Sequence, residues 1–312
     1  MKKVARRITI SREDAAAGGA GTLYVVATPI GNLEDITLRA IRVLGEVALI
    51  AAEDTRQTRK LLNHLDILTP LLSYYRGKEA ERAQIILDRL ACGGDVALVS
   101  DAGTPGISDP GGLLVEKARE KGIRVVPIPG PAAVVAAVSV AGLKDSAFYF
   151  LGFLPSRKGE RQKFLQPVAA IPAPLVFYES PQRIVQSLAD CLEVLGERRV
   201  FVARELTKIY EELLHGGLRE VLADLTSRPR VKGELVVILW PATPAAAPAG
   251  NEVDLMLEGL RDQGLSVRDA VQQVLAEVKI PRSKLYKEAL RIWAESFSCP
   301  SSLQSLKASE EV

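Results

Sequence analysis

The sequence predicts an α/β protein with two α/β domains, the first on a doubly wound parallel sheet and the second on a mixed sheet, plus a small C-terminal helical domain. Three observations predict this fold. Short apolar runs alternate with amphipathic segments of helical period from Leu23 onward. A Pro-Gly-Pro sequence at 129–131 marks a hinge between two such regions. Beyond a Pro/Ala-rich stretch at 241–250, only helical periodicity remains.

Five apolar runs predict the strands of the first domain: Leu23–Thr28, Val47–Ala52, Pro70–Tyr74, Val96–Ser100 and Arg124–Ile128. Segments of helical period lie between them, near 37–44, 55–65, 78–91 and 111–121. Strands that are apolar on both faces and separated by helices indicate a parallel sheet covered on both sides. Ligands bind at the carboxyl ends of the strands in such sheets, so we expect the functional site there.

The second domain has a less regular pattern, which favours a mixed sheet. Its strand candidates are Phe148–Phe153, Leu175–Tyr178, Val200–Ala203 and Leu235–Trp240. Its helical segments lie near 131–141, 157–168 and 181–195, and the segment Leu206–Leu218 is ambiguous.

The C-terminal segment is predicted to be helical. Ser266 followed three residues later by Asp269 is a capping signal, and Pro281 interrupts the next helix and restarts it. Two short helices with a tight break, the second one basic, are typical of a helix-turn-helix, and an ordinary helical hairpin fits equally well. The predicted division of the chain is a flexible basic tail at 1–20, α/β domains at 21–128 and 129–241, a Pro/Ala linker at 242–250, a helical domain at 251–298 and a disordered tail at 299–312.

The charge balance restricts how the chain can meet nucleic acid. The formal net charge is only +2, so such contact must come from local patches. Each patch also fits a solvated surface face. Three basic patches stand out: Lys2, Lys3, Arg6, Arg7 and Arg12; Arg157, Lys158, Arg161 and Lys163; and Lys279, Arg282, Lys284, Lys287 and Arg291.

Cysteine and histidine usage argues against several classes of protein. The 3 cysteines show no paired spacing and the chain has 2 histidines, so we predict no disulfide framework and no metal site. No apolar run reaches the ~18–20 residues of a membrane span, and the N-terminus lacks a signal-peptide core. We therefore expect a cytoplasmic protein without membrane contact.

The glycine-containing turns do not match the dinucleotide or P-loop fingerprints. The first turn, Thr28–Asn32, reads T-P-I-G-N, and the larger loop, Ser100–Gly112, carries two aspartates and no basic residue. Those carboxylates would repel a nucleoside triphosphate, whereas glycines admit a ligand close to the backbone. The pattern suits a ligand with hydroxyls, an ammonium and a sulfonium, and S-adenosylmethionine has all three.

The two aspartates of the larger loop also fit a structural role. Asp residues form turns and cap helices. For Asp109, which precedes Pro110 at a predicted helix start, the sequence favours capping. For Asp101 and Gly103 it favours contact with the ligand.

Eight sequence blocks between residues 22 and 241 match the motifs of a known family in order. They are Leu23–Ala40, Ala51–Arg56, Ser100–Gly111, Pro127–Pro131, Gly152–Pro155, Phe177–Arg183, Arg204–Lys208 and Lys232–Glu234. The chain thereby resembles the ribosomal RNA small-subunit methyltransferase I family of the tetrapyrrole methylase superfamily. The C-terminal segment is also similar to the small helical domain of that family.

The resemblance implies two α/β domains of tetrapyrrole-methylase type, a homodimer, and a cleft for S-adenosylmethionine between the domains. It implies methyl transfer to the 2′-hydroxyl of a cytidine in the decoding region of 16S rRNA. The partner is then the small-subunit RNA or the assembled small subunit. Carried over by motif, the cofactor-binding residues are Pro29, Gly31, Asp101, Ala102, Gly103, Ile107, Ser180 and Gly233.

The chain departs from the family at two positions. Ala132 follows Pro-Gly-Pro where members often have cysteine, which excludes a role for a thiol there. The segment Ser73–Glu79 lacks the histidine associated with that place, so we do not expect a histidine base from it.

Methyl transfer to a ribose hydroxyl benefits from a general base, because the free hydroxyl is a very weak acid. Candidates are the strand-end carboxylates Glu53, Asp54, Glu179 and Glu205. Lys208, Lys232, Arg56 and Arg183 are candidates for stabilising an alkoxide or gripping RNA phosphate. Each also has a structural interpretation: a Glu53–Arg56 ion pair, a helix cap at Glu179, or a surface turn at Lys232.

Candidates for RNA binding come from exposed basic segments and from tyrosines. They are Arg56, Tyr75, Arg157, Lys158, Arg183, Lys284 and Lys287. Among four tyrosines considered for stacking on a base, Tyr24 and Tyr178 lie in apolar strands and are expected in the core. Tyr75, beside Arg76, is favoured over Tyr74.

Two other functions stay open on the sequence. One is a small-molecule methyltransferase acting on corrinoid or tetrapyrrole precursors, against which the basic patches and the C-terminal helices argue. The other is a non-catalytic assembly factor that binds ribosomal RNA, against which the glycine turns argue. Binding of S-adenosylmethionine separates an enzyme from such a factor.

Overall fold

The computed structural model describes residues 19–144, 147–242, 250–278 and 280–296. The chain forms two compact units, Met1–Ala242 and Thr243–Val312. Most of the predicted N-terminal tail (1–18), the linker residues 243–249 and the predicted C-terminal tail lie outside the described residues.

The first sheet is parallel and consists of five strands: β1 (Leu23–Val26), β2 (Leu49–Ala52), β3 (Leu71–Ser73), β4 (Val96–Val99) and β5 (Val125–Ile128). Their order in the sheet is β3-β2-β4-β1-β5. The helices are α1 (Leu38–Glu46), α2 (Thr55–His64), α3 (Glu79–Ala91) and α4 (Gly112–Glu120). Two apolar clusters cover the two faces, so the predicted doubly wound parallel sheet is confirmed.

The first two helices begin where the sequence supplies a capping side chain. Thr37 accepts a hydrogen bond from Ala40 N at 3.1 Å, and Asp54 accepts one from Arg56 N at 2.8 Å. Because only Glu53 separates Asp54 from the end of β2, the cap also fixes the carboxyl end of that strand, where the site is expected.

The second sheet is mixed, as predicted, with strands β6 (Tyr149–Phe153), β7 (Leu175–Glu179), β8 (Arg199–Arg204), β9 (Glu212–Gly217) and β10 (Leu235–Leu239). Their order is β6-β7-β10-β8-β9, and only the β6–β7 pair is parallel. Helix α5 (Ala133–Val140) packs on one face. The other face carries α6 (Lys158–Leu165), α7 (Ile184–Leu195) and α8 (Leu218–Ser227).

The ambiguous segment Leu206–Leu218 contains a strand, and helix α8 after it was not predicted. Strand β9 is an edge strand that pairs with β8 alone. Its side chains alternate between half-buried and exposed, so it lacks the continuous apolar run that identified the other strands.

The described residues of the C-terminal unit form a bundle of three helices: α9 (Gly250–Asp262), α10 (Val267–Glu277) and α11 (Arg282–Ser296). They enclose one apolar cluster that includes Leu257, Val274 and Ile292. Ser266 caps α10 by accepting from Asp269 N at 3.2 Å, and the break at Pro281 separates α10 from α11, both as predicted. Within the part of the chain that the structure describes, no helix is long and apolar enough to cross a membrane.

Candidate active site

A cleft of about 420 Å³ opens where the carboxyl ends of the first sheet face the second sheet. That volume is in the range of about 300–1,000 Å³ usual for small-molecule sites. The first sheet contributes Ile30, Glu53, residues 101–104 and residues 107–109. The second contributes Ala132, Ala133, Phe153, residues 178–181, Ala203, Leu206, Lys208 and residues 234–236.

The first turn and the larger loop are joined by a backbone bridge. Thr28 N donates to Gly103 O at 2.9 Å, and Gly103 N donates to Thr28 O at 3.0 Å. Gly103 has a φ of +81°, a left-handed conformation that favours glycine. The bridge therefore holds the larger loop against the end of β1, with Gly103 on the cleft wall.

Three carboxylates of the first sheet face the cleft. Burial raises the pKa of Glu53 above its ordinary value, and the charges of Asp109 and Asp101 raise it further. Burial also raises the pKa of Asp109, although a hydrogen bond from Ser100 lowers it. These carboxylates give the first-sheet side of the cleft negative charge and hydrogen-bond acceptors.

The prediction that Asp109 caps a helix is wrong. Asp101 has both a structural contact and a position in the cleft lining. Helix α4 begins after Gly111, which makes no side-chain cap, and Asp109 lines the cleft instead. Asp101 Oδ1 accepts a hydrogen bond from Asp54 N at 2.9 Å while also lining the cleft. It thus links the ends of β2 and β4.

Arg76 ties down the far side of the larger loop. Its guanidinium donates to Ser108 O at 3.0 Å, and Ser108 has a left-handed φ of +69°. Such a backbone costs free energy in a residue other than glycine and persists where its surroundings enforce it. The Arg76 contact is part of that enforcement.

Glu179 is engaged by donors on both oxygens. Ser180 N donates at 2.7 Å and Ser187 Oγ at 2.6 Å, and the Arg183 guanidinium lies 2.6 Å from Glu179 Oε1. A buried carboxylate that accepts these bonds positions the 180 loop. The role of Glu179 as a base stays a prediction. Arg183 also donates to Ser180 Oγ and Leu154 O, so it has an internal role in this loop, and its contact with RNA phosphate stays a prediction.

The loop after β8 presents a cation to the cleft. Lys208 Nζ lies 2.8 Å from Glu205 Oε1 and 3.3 Å from Glu234 Oε2. Burial alone would lower the pKa of Lys208, but the bonds to these carboxylates outweigh it and raise that pKa. Burial would raise the pKa of Glu205, yet Lys208 and Glu234 N lower it overall. Glu205 is therefore a poor base, and its contact makes it a residue that positions Lys208.

Three residues expected to contact a cofactor lie outside the cleft lining: Pro29, Gly31 and Gly233. A Cβ on Gly31 would collide with the Lys208 side chain and lie 3.0 Å from Leu206 O. A Cβ on Gly233, whose φ is +89°, would collide with the Glu205 side chain. Both glycines serve close packing around the Lys208 loop. The other motif residues, Asp101, Ala102, Gly103, Ile107 and Ser180, do line the cleft.

All seven predicted RNA-binding residues lie outside the cleft lining. Arg56 pairs with Asp54 at 2.8 Å rather than with Glu53, Arg157 pairs with Glu160, and Lys158 pairs with Glu193. Tyr75 is 40% exposed, whereas Tyr74 is fully buried and is no candidate for stacking. Arg161 of the middle patch is buried and bonds Asp190 at 2.7 Å. Lys284 and Lys287 are exposed on α11.

Sequence reasoning missed several cleft residues, above all Phe153 and Glu234, and assigned Tyr178 to the core. Tyr178 lines the cleft, and its hydroxyl accepts from Val134 N at 3.1 Å at the start of α5. Gly152 is the signal in the sequence that could have placed Phe153 in the cleft. A glycine inside a strand indicates a bulge, and Gly152 has a φ of +66°. The site thus combines carboxylates of raised pKa, one lysine and an aromatic wall.

The chain matches the model of the tetrapyrrole (corrin/porphyrin) methylases over residues 22–222. It is 45% identical over 278 residues to the ribosomal RNA small subunit methyltransferase I of Synechocystis sp., covering 88% of this chain and 99% of the relative. It is 43% identical over 288 residues to the protein of the same name from Escherichia coli O157:H7, covering 90% and 99%.

Among solved structures, the fold is similar to uroporphyrin-III C-methyl transferase from Thermus thermophilus complexed with S-adenyl homocysteine. The TM-score is 0.50 at 22% identity, covering 70% of this chain and 97% of the other. A protein from Aeropyrum pernix gives a TM-score of 0.57 at 17% identity, covering 72% and 86%. These two likenesses concern the fold.

Proposed function

The chain belongs to the tetrapyrrole (corrin/porphyrin) methylase family and, within it, to the ribosomal RNA small subunit methyltransferase I proteins, and on that premise we propose that it methylates small-subunit ribosomal RNA. The methyl donor is S-adenosylmethionine. The observation that carries the proposal is the likeness to those relatives along nearly their whole length.

The residues of the cleft fit this cofactor. S-adenosylmethionine carries an ammonium and a sulfonium, and Glu53, Asp101 and Asp109 place carboxylates along the first-sheet side of the cleft. Gly103 on the wall admits a ligand close to the backbone. Among the residues described along the larger loop there is no lysine or arginine of the kind that holds a triphosphate.

The finer proposal is that the methyl group goes to the 2′-hydroxyl of a cytidine in the decoding region of 16S rRNA. It rests on the eight family motifs between residues 22 and 241. The same motifs support a homodimer. Ribosomal RNA as substrate also supports a place in the cytoplasm.

When bound, S-adenosylmethionine supplies a methyl group on a sulfonium that is open to in-line displacement. Glu53 is the best candidate for the base that accepts the hydroxyl proton, because a raised pKa brings a carboxylate nearer the operating pH. Among the described residues it makes no ion pair within 4 Å. Lys208 is the cation placed to stabilise negative charge on the substrate.

Methyl transfer to a defined substrate tests the proposed function. Small ribosomal subunits from cells that lack this gene are incubated with the protein and labelled S-adenosylmethionine. Subunits from cells that carry the gene are the control, since their site is already methylated. We expect label in the RNA of the first subunits only. Transfer to tetrapyrrole precursors but not to either subunits or naked 16S rRNA would overturn the proposal.

A further inference from the structure

Strand β6 contains a bulge just before its end. Phe150 pairs with Val176 of β7, but Phe153 pairs with Tyr178, so three steps on β6 match two on β7. Gly152, at the irregular position, has a φ of +66°. A bulge of this kind adds one residue and reverses which face the following side chains occupy.

The bulge turns Phe153 toward the cleft. In an uninterrupted register Phe153 would lie opposite Glu179, whose side chain is on the other face of β7 from Tyr178. With the bulge it shares the face of Tyr178 and lines the cleft. The next residue, Leu154, is 2% exposed and packs with Phe177 in the core on the opposite face.

The ring of Phe153 is held in place from behind. It meets the Tyr178 ring edge-on, with centroids 5.5 Å apart, and Phe150 braces Tyr178 in the same way at 5.0 Å. The Tyr178 hydroxyl is fixed by Val134 N, and Arg183 donates to Leu154 O at 3.3 Å. A braced aromatic ring loses little freedom when a ligand stacks on it.

In spite of this bracing, 53% of Phe153 is exposed. Leaving that much aromatic surface in water forgoes the free energy that burial would give. Strand β6 is also an edge of its sheet, so the ring stands at the rim of the cleft and is open on its outer side. Ser108 lies beside Gly152, and Arg76, bonded to Ser108 O, brings a cation to the same rim.

We propose that Phe153 is the platform on which the base of the target nucleotide stacks while its ribose enters the cleft. The proposal rests on the proposed function, in which RNA is the substrate. An enzyme that acts within an RNA strand must draw the target nucleotide out of its stack, and an aromatic side chain replaces the lost stacking partner. Phe153 lies at the rim of the cleft, where the base of an RNA nucleotide can reach it from outside. The adenine of a cofactor enclosed in the cleft would need a ring deeper inside.

The variants Phe153→Ala, Phe153→Leu and Phe153→Trp test the platform. Leucine keeps apolar bulk without a flat ring, and tryptophan keeps a flat ring. We expect alanine and leucine to raise the KM for small subunits about 10- to 100-fold, from the usual contribution of one stacked base. We expect tryptophan to stay within about threefold of wild type. Phe164→Ala is the matched control, because Phe164 is 37% exposed on α6 outside the cleft lining.

Binding of S-adenosylhomocysteine, measured by calorimetry, shows whether Phe153 stacks on the base of the target nucleotide or on the adenine of the cofactor. If Phe153 is a platform for the RNA base, all variants should bind S-adenosylhomocysteine with the affinity of wild type. Their melting temperatures should also be unchanged. A loss of affinity that parallels the loss of the ring would assign Phe153 to the cofactor adenine and overturn the proposal. Unchanged KM in Phe153→Ala, with active wild type, would also overturn it. An inactive wild type on every RNA would instead refute the proposed function.

Discussion

The ammonium of Lys208 lies 2.8 Å from Glu205 Oε1, on a loop in which Glu205 has a left-handed φ of +53°. Thr207, in the same loop, has a φ of +66°. Left-handed backbone at residues other than glycine costs about 1–3 kcal/mol at each position and concentrates at functional sites. Gly31 packs against the same lysine, so a turn of the first sheet and a loop of the second together fix one cation at the cleft.

Replacing Lys208 tests whether this cation acts on the substrate. Lys208→Met keeps the length of the side chain and removes its charge. We expect kcat to fall about 100- to 1,000-fold, as when one stabilising donor is lost from other enzymes, because charge on the substrate oxygen is no longer offset. Affinity for S-adenosylhomocysteine should change less than about twofold by calorimetry. Lys60→Met, at an exposed position on α2, is the control, and full activity of Lys208→Met would remove Lys208 from the mechanism.

Two glycines of the larger loop form a matched pair. Gly103 and Gly106 both have a φ of +81°, but Gly103 lines the cleft and Gly106 does not. Alanine at either position therefore costs a similar ~1–2 kcal/mol of backbone strain. We expect Gly103→Ala alone to weaken binding of S-adenosylhomocysteine, by about tenfold or more, since its new methyl occupies the wall. If the two variants bind S-adenosylhomocysteine equally well and melt at the same temperature, Gly103 does not contact the cofactor.

Glu53 gives opposite expectations for activity and for stability. As a base it acts only when ionised, so the rate should fall as the pH drops through its raised pKa, which lies above the ordinary 4.5. Glu53→Gln should lose most activity and that pH dependence. A raised pKa in the folded state also means that Glu53 contributes stability at low pH, which is lost as the pH rises through that pKa.

The stability of the Glu53→Gln variant is therefore measured against pH. Glutamine does not titrate, so the variant should gain melting temperature relative to wild type as the pH rises from 4 to 8. A pH–rate profile that is unchanged by the substitution would show that another group accepts the proton.

The fold was predictable because it is carried by regular patterns. Apolar runs identified nine of the ten strands in the described part of the chain, and the exception, β9, is an edge strand with alternating exposure. Motif residues such as Asp101 and Ser180 do line the cleft. Phe153 could not be placed from alternation, since the bulge at Gly152 reverses its face, and Asp109 was misread because a carboxylate before a helix usually caps it.

The middle basic patch contains one residue whose role is structural. Arg161 is buried against Asp190, whereas Lys158 is exposed and pairs with Glu193 at 3.1 Å. Removing one partner of a buried pair costs about 3–5 kcal/mol, and a surface pair is worth about 0–1 kcal/mol. Arg161→Ala should therefore lower the free energy of unfolding in urea by several kcal/mol, and Lys158→Ala by little. Similar losses in the two variants would contradict this distinction.

The most direct test of the central claim is the identity of the methylated nucleotide. Small subunits from cells that lack this gene are treated with the protein and S-adenosylmethionine. Their 16S rRNA is then cut with nucleases, and the fragments are analysed by mass spectrometry. We predict a single new 2′-O-methylcytidine in the decoding region, formed about 100- to 1,000-fold more slowly by the Lys208→Met variant. A methyl group on a base, or no methyl group on the RNA, would contradict the assignment of this cleft to ribose methylation.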